Sequence, residues 1–237
     1  VWETTVDGRV LHFHLAGINN QNFIMRDEET GSWWQQVTGK AILGPLKGSQ
    51  LKSVFHDELS FNLWKHEKPQ GRVLRPDEQI LASQQYEPAD WEQRMARMRI
   101  VAGTDKDSRL EPRTLIIGIS LADKSIAYPL AALQKQSPIM DTIGGVPILI
   151  VLGEDNRSVR AFERTIDGRA VEFFKKVEGS RWQLIDSETG SVWDFNGKAT
   201  AGDLAGRQLK KVTVLEDYWF DWTIYHPDTA VYQIGPQ

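Results

Sequence analysis

Apolar and polar residues alternate along most of this chain in short runs closed by Gly, Asp and Pro. That is the pattern of strands with one buried face joined by tight turns. Val1–Val6 and Arg9–Ala16 flank Asp7-Gly8, the pair a type I′ hairpin turn selects because both central residues need positive φ. Alternation puts Leu11, Phe13 and Leu15 on one side of the second strand, and His12 and His14 on the other. A polar loop is expected over Ile18–Asn22, a short strand over Phe23–Arg26, and a turn at Asp27–Gly31. In that turn Thr30-Gly31 supplies a left-handed position and the aspartate bonds the backbone. Ser32–Val37 is the return strand and Leu51–His56 reads as another. Ser60 is placed to cap a short helix through Glu67, ahead of Pro69.

Farther along, Thr114–Leu121, a turn at Ala122–Lys124 and a strand through Tyr128 form one hairpin. Ile139–Ile143, Gly144-Gly145 and Val146–Leu152 form a second, with a turn or two of helix over Pro129–Gln136 between them. Arg75–Arg113 differs: it is rich in Gln, Arg, Asp and Glu. A helix over Pro88–Met98 would carry Trp91, Met95 and Met98 on one face.

The stretch Asp27–Gly48 recurs as Asp186–Gly206. Thr30-Gly31-Ser32 matches Thr189-Gly190-Ser191, Trp34 matches Trp193, and Gly39-Lys40-Ala41 matches Gly197-Lys198-Ala199. The register extends outward from Asp7-Gly8-Arg9 with Asp167-Gly168-Arg169 to Trp64 and Pro69 with Trp222 and Pro227. It slips by one residue twice, and both slips are assigned to loops. The expected fold is mainly β: two repeated antiparallel β modules, sandwich or barrel-like, with short helices and a helical connector. The expected division is 1–77, 78–113 and 114–237. The second module carries residues 114–157 ahead of its repeat, so the first module's upstream half is expected to lie before Val1.

Composition narrows the functions. The net charge of −4 gives no electrostatic drive toward nucleic acid. No apolar run reaches the ~18 residues of a membrane span. The chain has no cysteine, which removes disulfides and thiolate metal sites from it. No nucleophile elbow, phosphate loop, HExxH or dinucleotide fingerprint is present. Gly144-Gly145 is a hairpin turn.

Four sets of residues are candidates for chemistry. His12 and His14 share a strand face, a usable geometry for two metal ligands; without a third partner the same pair is a solvated face. Asn20, Asn22 and Gln36, with Asn19, belong to the first copy only and are the candidate ligand-binding residues, or else a loop that satisfies its own backbone. Trp33, Trp34, Trp182, Trp193, Trp219 and Trp222 could form an aromatic platform. The matched pairs Trp34/Trp193 and Trp64/Trp222 read as core anchors, leaving Trp33 as the exposed one. Glu28-Glu29 and Glu216-Asp217 read as solvated charge.

Several motifs together resemble the bacterial family catalogued as domain of unknown function 3179. They are Ala127–Leu130 (AYPL), Asp141–Pro147 (DTIGGVP), the D-x-x-TGS-x-W turn in both copies, GKA with its spaced glycines, and Tyr225–Thr229 (YHPDT). The resemblance implies an exported, periplasmic or extracellular protein, often with a signal peptide or lipid anchor. It also implies a Cys-Pro-x-Cys motif and a nearby His, a metal or redox pairing. This chain departs there: Gly153 and Asn156 stand at the two Cys positions, Met140 at the Asn before Asp141, and Gln136 or Ser137 at the His.

The expected function is a non-catalytic binding or interaction module with a protein partner in a larger envelope assembly. Nothing visible requires a cofactor, and no oligomeric state is set. The alternative is a metal-binding or redox protein whose site lies in the first module and the segment upstream of residue 1. It predicts His12, His14, Asn20, Asn22 or Gln36 in a cleft opening toward the N-terminus. Glycan binding on Trp33 is a third, weaker reading.

Overall fold

The computed structural model describes residues 1–19, 22–75, 78, 90–100, 107–178 and 181–234. The N-terminal part contains β1 (Thr5–Val6), β2 (Arg9–Val10), β3 (Phe13–Asn19), β4 (Asn22–Asp27), β5 (Trp33–Gln35), β6 (Ala41–Leu43) and helix α1 (Phe61–Glu67). Helix α2 (Trp91–Arg97) lies in the expected connector, most of which falls outside the described residues. Then come β7 (Leu115–Leu121), β8 (Lys124–Pro129), helix α3 (Leu130–Lys135), β9 (Ile139–Ile143), β10 (Val146–Leu152) and β11 (Val159–Glu163). The chain continues with β12 (Thr165–Ile166), β13 (Arg169–Ala170), β14 (Phe173–Glu178), β15 (Arg181–Asp186), β16 (Val192–Trp193) and β17 (Ala199–Ala201). It ends with β18 (Lys210–Val212), β19 (Leu215–Tyr218), helix α4 (Trp219–Tyr225) and β20 (Ala230–Val231).

The protein is mainly β. Its sheets are open, and none closes into a barrel among the described residues. All ladders are antiparallel except β20 on β8. Sheet β3-β4-β5-β6 has the order of sheet β14-β15-β16-β17, and each stands beside a two-residue hairpin, β1-β2 or β12-β13. The turns of those hairpins place Asp7-Gly8 and Asp167-Gly168 at positive φ, as their sequence requires. The core of each sheet is a fully buried tryptophan, Trp34 or Trp193, edge-on to Phe13 or Phe173.

Asp27 and Asp186 fix the next turn in the same way. Asp27 Oδ1 accepts the Thr30 N–H at 2.6 Å, and Oδ2 accepts the Trp34 indole N–H at 2.8 Å. Asp186 does this with Thr189 at 2.7 Å and Trp193 at 2.9 Å. Ser60 caps α1 by accepting the Leu63 N–H.

Four local expectations need correction. Ile18–Asn22 is not a free loop: Ile18 and Asn19 extend β3, and Asn19 pairs with Asn22 across the hairpin. The first one-residue slip falls inside a strand, not in a loop. The ladder shifts between Leu15 and Gly17, with Ala16 as the extra residue, whereas β14-β15 runs unbroken. Leu15, the last residue in register before the bulge, is exposed, unlike Leu11. Leu51–His56 is not a named strand and carries only the single bridge Trp2–Ser53. Trp222 is buried as expected, but its match Trp64 is only half-buried.

Two further sheets belong to the C-terminal part. They are β18-β11-β10-β9, packed on a cluster that includes Ile148, Ile150 and Val212, and β19-β7-β8-β20. Contacts between the N- and C-terminal parts are specific. Arg160 on β11, 3% exposed, reaches back to Glu67 at 2.8 Å and Asp57 at 3.0 Å. Lys211 also reaches Asp57 at 2.6 Å, and the Ser60 N–H donates to the Ser158 hydroxyl at 2.9 Å.

Candidate functional site: a carboxyl-lined cleft

Sheet β3-β4-β5-β6, the segments Val1–Thr4 and Leu51–Glu58, and the stretch Thr213–Asp217 enclose a cavity of about 660 Å³. One wall is apolar: Trp2, Phe13, Met25 and Leu51. The other end is polar: Asn22, Gln36, His56, Glu58, Glu216 and Asp217. Asn22 and Gln36 arrive there because they end adjacent strands of one sheet. Gln36 follows β5, and its N–H bonds the Phe23 carbonyl of β4 at 3.2 Å. The Gln36 carbonyl accepts the Trp2 indole N–H at 2.7 Å, tying the apolar wall to the polar end.

Helix α4 supplies the chemistry at that end. It follows β19 directly, so Asp217, on the strand, and Asp221, in the first helical turn, lie one turn apart on one side. Asp221 is 6% exposed, and its Oδ2 accepts from the Asn22 amide. Its Oδ1 is buried with no hydrogen-bond partner among the described residues. Burial, and then the charge of Asp221, pushes the Asp217 carboxyl up to about 8. Burial also raises Asp221, against the hydrogen bond from Asn22. Desolvation and their like charge thus work against ionising both acids together. The Tyr225 hydroxyl is buried nearby with no hydrogen-bond partner among the described residues. Burial and Asp221 raise its pKa. His56 faces Glu58 at 3.6 Å.

Asp217 is thus no solvated charge, which corrects the sequence expectation. Its neighbours Trp219, Phe220 and Trp222 are buried, and they carry it inward. Glu216 lines the cleft beside it, and its backbone N–H donates to the Glu58 carboxylate at 3.2 Å.

The other candidates fall elsewhere. Asn20 lies outside the described residues. His12, just ahead of β3, and His14 on it are exposed and do not line the cleft. His12 Nδ1 pairs with Glu29 at 2.6 Å and His14 Nδ1 approaches Glu28 at 3.9 Å. The glutamate hydrogen bond raises the pKa of His12. Among the described residues no three His, Cys, Asp or Glu side chains gather into a group that could hold a metal ion. Trp33 is half-buried on the sheet face opposite Trp34 and does not line the cleft. A smaller cavity of about 490 Å³, lined by His66, Glu67, Trp182, Phe195 and Asn196, sits where α1 meets sheet β14-β15-β16-β17.

Sequence reasoning missed Asp217, Asp221 and Tyr225. One signal was available: Asp221 and Tyr225 interrupt the repeat, standing where the first copy has Leu63 and Glu67. An aspartate inside the apolar run Trp219–Trp222 is a buried charge that must find a partner.

A mainly β protein with paired sheets and a carboxyl-lined cleft between its two halves is the class these features define. The chain belongs to the family described as protein of unknown function (DUF3179), whose profile matches residues 1–229. No curated protein and no solved structure matches it. No helix among the described residues is long and apolar enough to cross a membrane.

Proposed function

We propose that the protein is an exported bacterial binding module, built from two copies of one unit, that engages its ligand in the cleft between them. The observation that carries this reading is the convergence of first-copy Asn22 and Gln36 with Asp217 and Asp221 of the second copy. None of these residues makes a site within its own half. Family resemblance supports export and the periplasmic or extracellular compartment.

The chemistry favours a cationic head on an apolar body. An ammonium or guanidinium group placed against Asp217, which lines the cleft, takes the place of its proton and pairs with that carboxylate, with the buried Asp221 close behind. The Asn22 and Gln36 side-chain oxygens accept its remaining N–H groups. The body lies along Trp2, Phe13 and Met25, and a lysine or arginine side chain of a partner protein has this shape.

The test is titration of the 237-residue chain with n-hexylammonium and with n-hexanol, read by NMR. The expected result is perturbation of Trp2 and Asn22 by the amine, tightening from pH 6 to pH 9, and loss of binding in Asp217→Asn/Asp221→Asn. Equal binding of the alcohol, or no perturbation of either residue, would contradict the reading.

A second reading is a metal or redox protein whose site is completed by residues preceding Val1. It is favoured by one observation: Val1 and Trp2 wall the cleft that holds Asn22 and Gln36. Elemental analysis of the natural protein beside the 237-residue chain separates the two, since a stoichiometric transition metal only in the longer form supports the second.

A further inference from the structure

Strand β11 has a neighbour on each edge. Phe162 pairs with Lys211 of β18 on one side and Leu149 of β10 on the other. In the N-terminal part the matching stretch is Val1–Glu3, with Trp2 in the place of Phe162. The match is physical: Gly39 and Gly197 both lie under this ring, a Cβ coming within 2.8 Å of Trp2 or 2.4 Å of Phe162. Val1–Glu3 pairs with the counterpart of β18, the Glu3 N–H donating to the Lys52 carbonyl at 2.8 Å and the Val54 N–H to the Val1 carbonyl at 3.0 Å. Strand alternation turns the N–H and C=O of Trp2 to the opposite edge. They have no partner there among the described residues.

The side chains repeat the asymmetry. Phe162, Phe173 and Leu184 are 0%, 1% and 0% exposed, in one cluster with Leu149 and Val151 of β10. Their counterparts Trp2, Phe13 and Met25 are only half-buried, and all three line the cleft. The apolar wall of the cleft is therefore the surface that β10 covers in the other half.

We propose that this wall and edge are completed by an antiparallel β-strand of the β10 kind, supplied by a segment that precedes Val1 in the natural protein. Connection geometry selects that source. β10 reaches β11 through the short turn between Leu152 and Val159, so a strand laid the same way on Val1–Glu3 runs directly into Val1. The strand is expected to carry apolar residues at the two positions matching Leu149 and Val151, spaced by two so that both face Trp2, Phe13 and Met25. It takes up the apolar wall and leaves the carboxyl end open, so an alkyl body lies along Trp2, Phe13 and Met25 only in the 237-residue chain, and in the natural protein it lies against the added strand. The inference does not depend on what that end binds.

The experiment compares the natural protein with the 237-residue chain by hydrogen exchange at the Trp2 amide and by acrylamide quenching of tryptophan fluorescence. The edge amide is expected to exchange roughly a hundredfold more slowly in the natural protein, as it joins the cooperative core. Trp2→Phe is expected to remove the difference in quenching while keeping the fold. Equal exchange in both forms would overturn the proposal, as would a natural protein that starts at Val1. A concentration-dependent dimer of the 237-residue chain that protects Trp2 would also overturn it, assigning the edge to a second copy.

Discussion

At position 27 and again at 186 a carboxylate is fully buried, and it organises three donors within one turn. Burial alone would raise the pKa of each group. The hydrogen bonds, led by the tryptophan indole, outweigh it and hold both below the ordinary carboxylate value. Removing the acid strands a buried indole N–H. Asp186→Ala is expected to cost about 3 kcal/mol, and Asp27→Ala a similar amount, in urea denaturation. Because the folded-state values are lowered, this stability is present above about pH 4 and is lost as pH falls through them. Asp217 works in the opposite direction. Its folded carboxyl keeps a proton that the unfolded chain releases near 4, so stability falls as pH rises from about 4 to about 8 and levels off above. The slope is at most about 1.4 kcal/mol per pH unit, and Asp217→Asn is expected to abolish it in denaturation curves across that range. The structural aspartates were legible in the sequence because they recur with their Thr and Trp partners. Asp217 was not, because its burial comes from the fold placing β19 and α4 against the other half.

Elements were legible where turn chemistry is local. Asp-Gly and Gly-Gly hairpins, the TGS turn and the Ser60 cap all formed where their residues stand. What alternation could not show is an extra residue inside a strand. Ala16 keeps the apolar pattern going by eye, yet it breaks the ladder between Leu15 and Gly17. Deleting Ala16 is expected to give the unbroken register of β14-β15 and to be tolerated, with the denaturation midpoint nearly unchanged. Deleting Met25 on the partner strand removes the residue opposite Trp34, flips part of β4 across the sheet, and is expected to prevent folding. The expected strand at Leu51–His56 fails for a related reason. A strand needs a continuous partner, and Val1–Glu3 pairs with only part of it.

At the scale of the molecule, the two halves lean on each other through their helices. Glu67 of α1 and Asp57 clamp the buried Arg160, and Asp221 of α4 takes the Asn22 amide in return. Arg160→Met leaves Glu67 without its ion pair and Asp57 with Lys211 alone, and is expected to cost about 3 kcal/mol. Calorimetry would show the loss as a lower midpoint, with the two halves melting separately. Periodicity carries no information about such contacts, so the repeat was visible in the sequence while the cleft between its copies was not. Asn22 and Gln36 were singled out because the second copy lacks them; that difference, not any motif, pointed to the cleft.

The claim that this cleft is the working site rests on the carboxyl pair at its polar end. The most direct measurement is a carbon-13 NMR titration of the Asp217 and Asp221 carboxyl groups, with and without n-hexylammonium. The expected result is an Asp217 midpoint near 8 in the free protein, falling as the amine pairs with the carboxylate. Two carboxyls that titrate near 4 and ignore the amine would contradict the account.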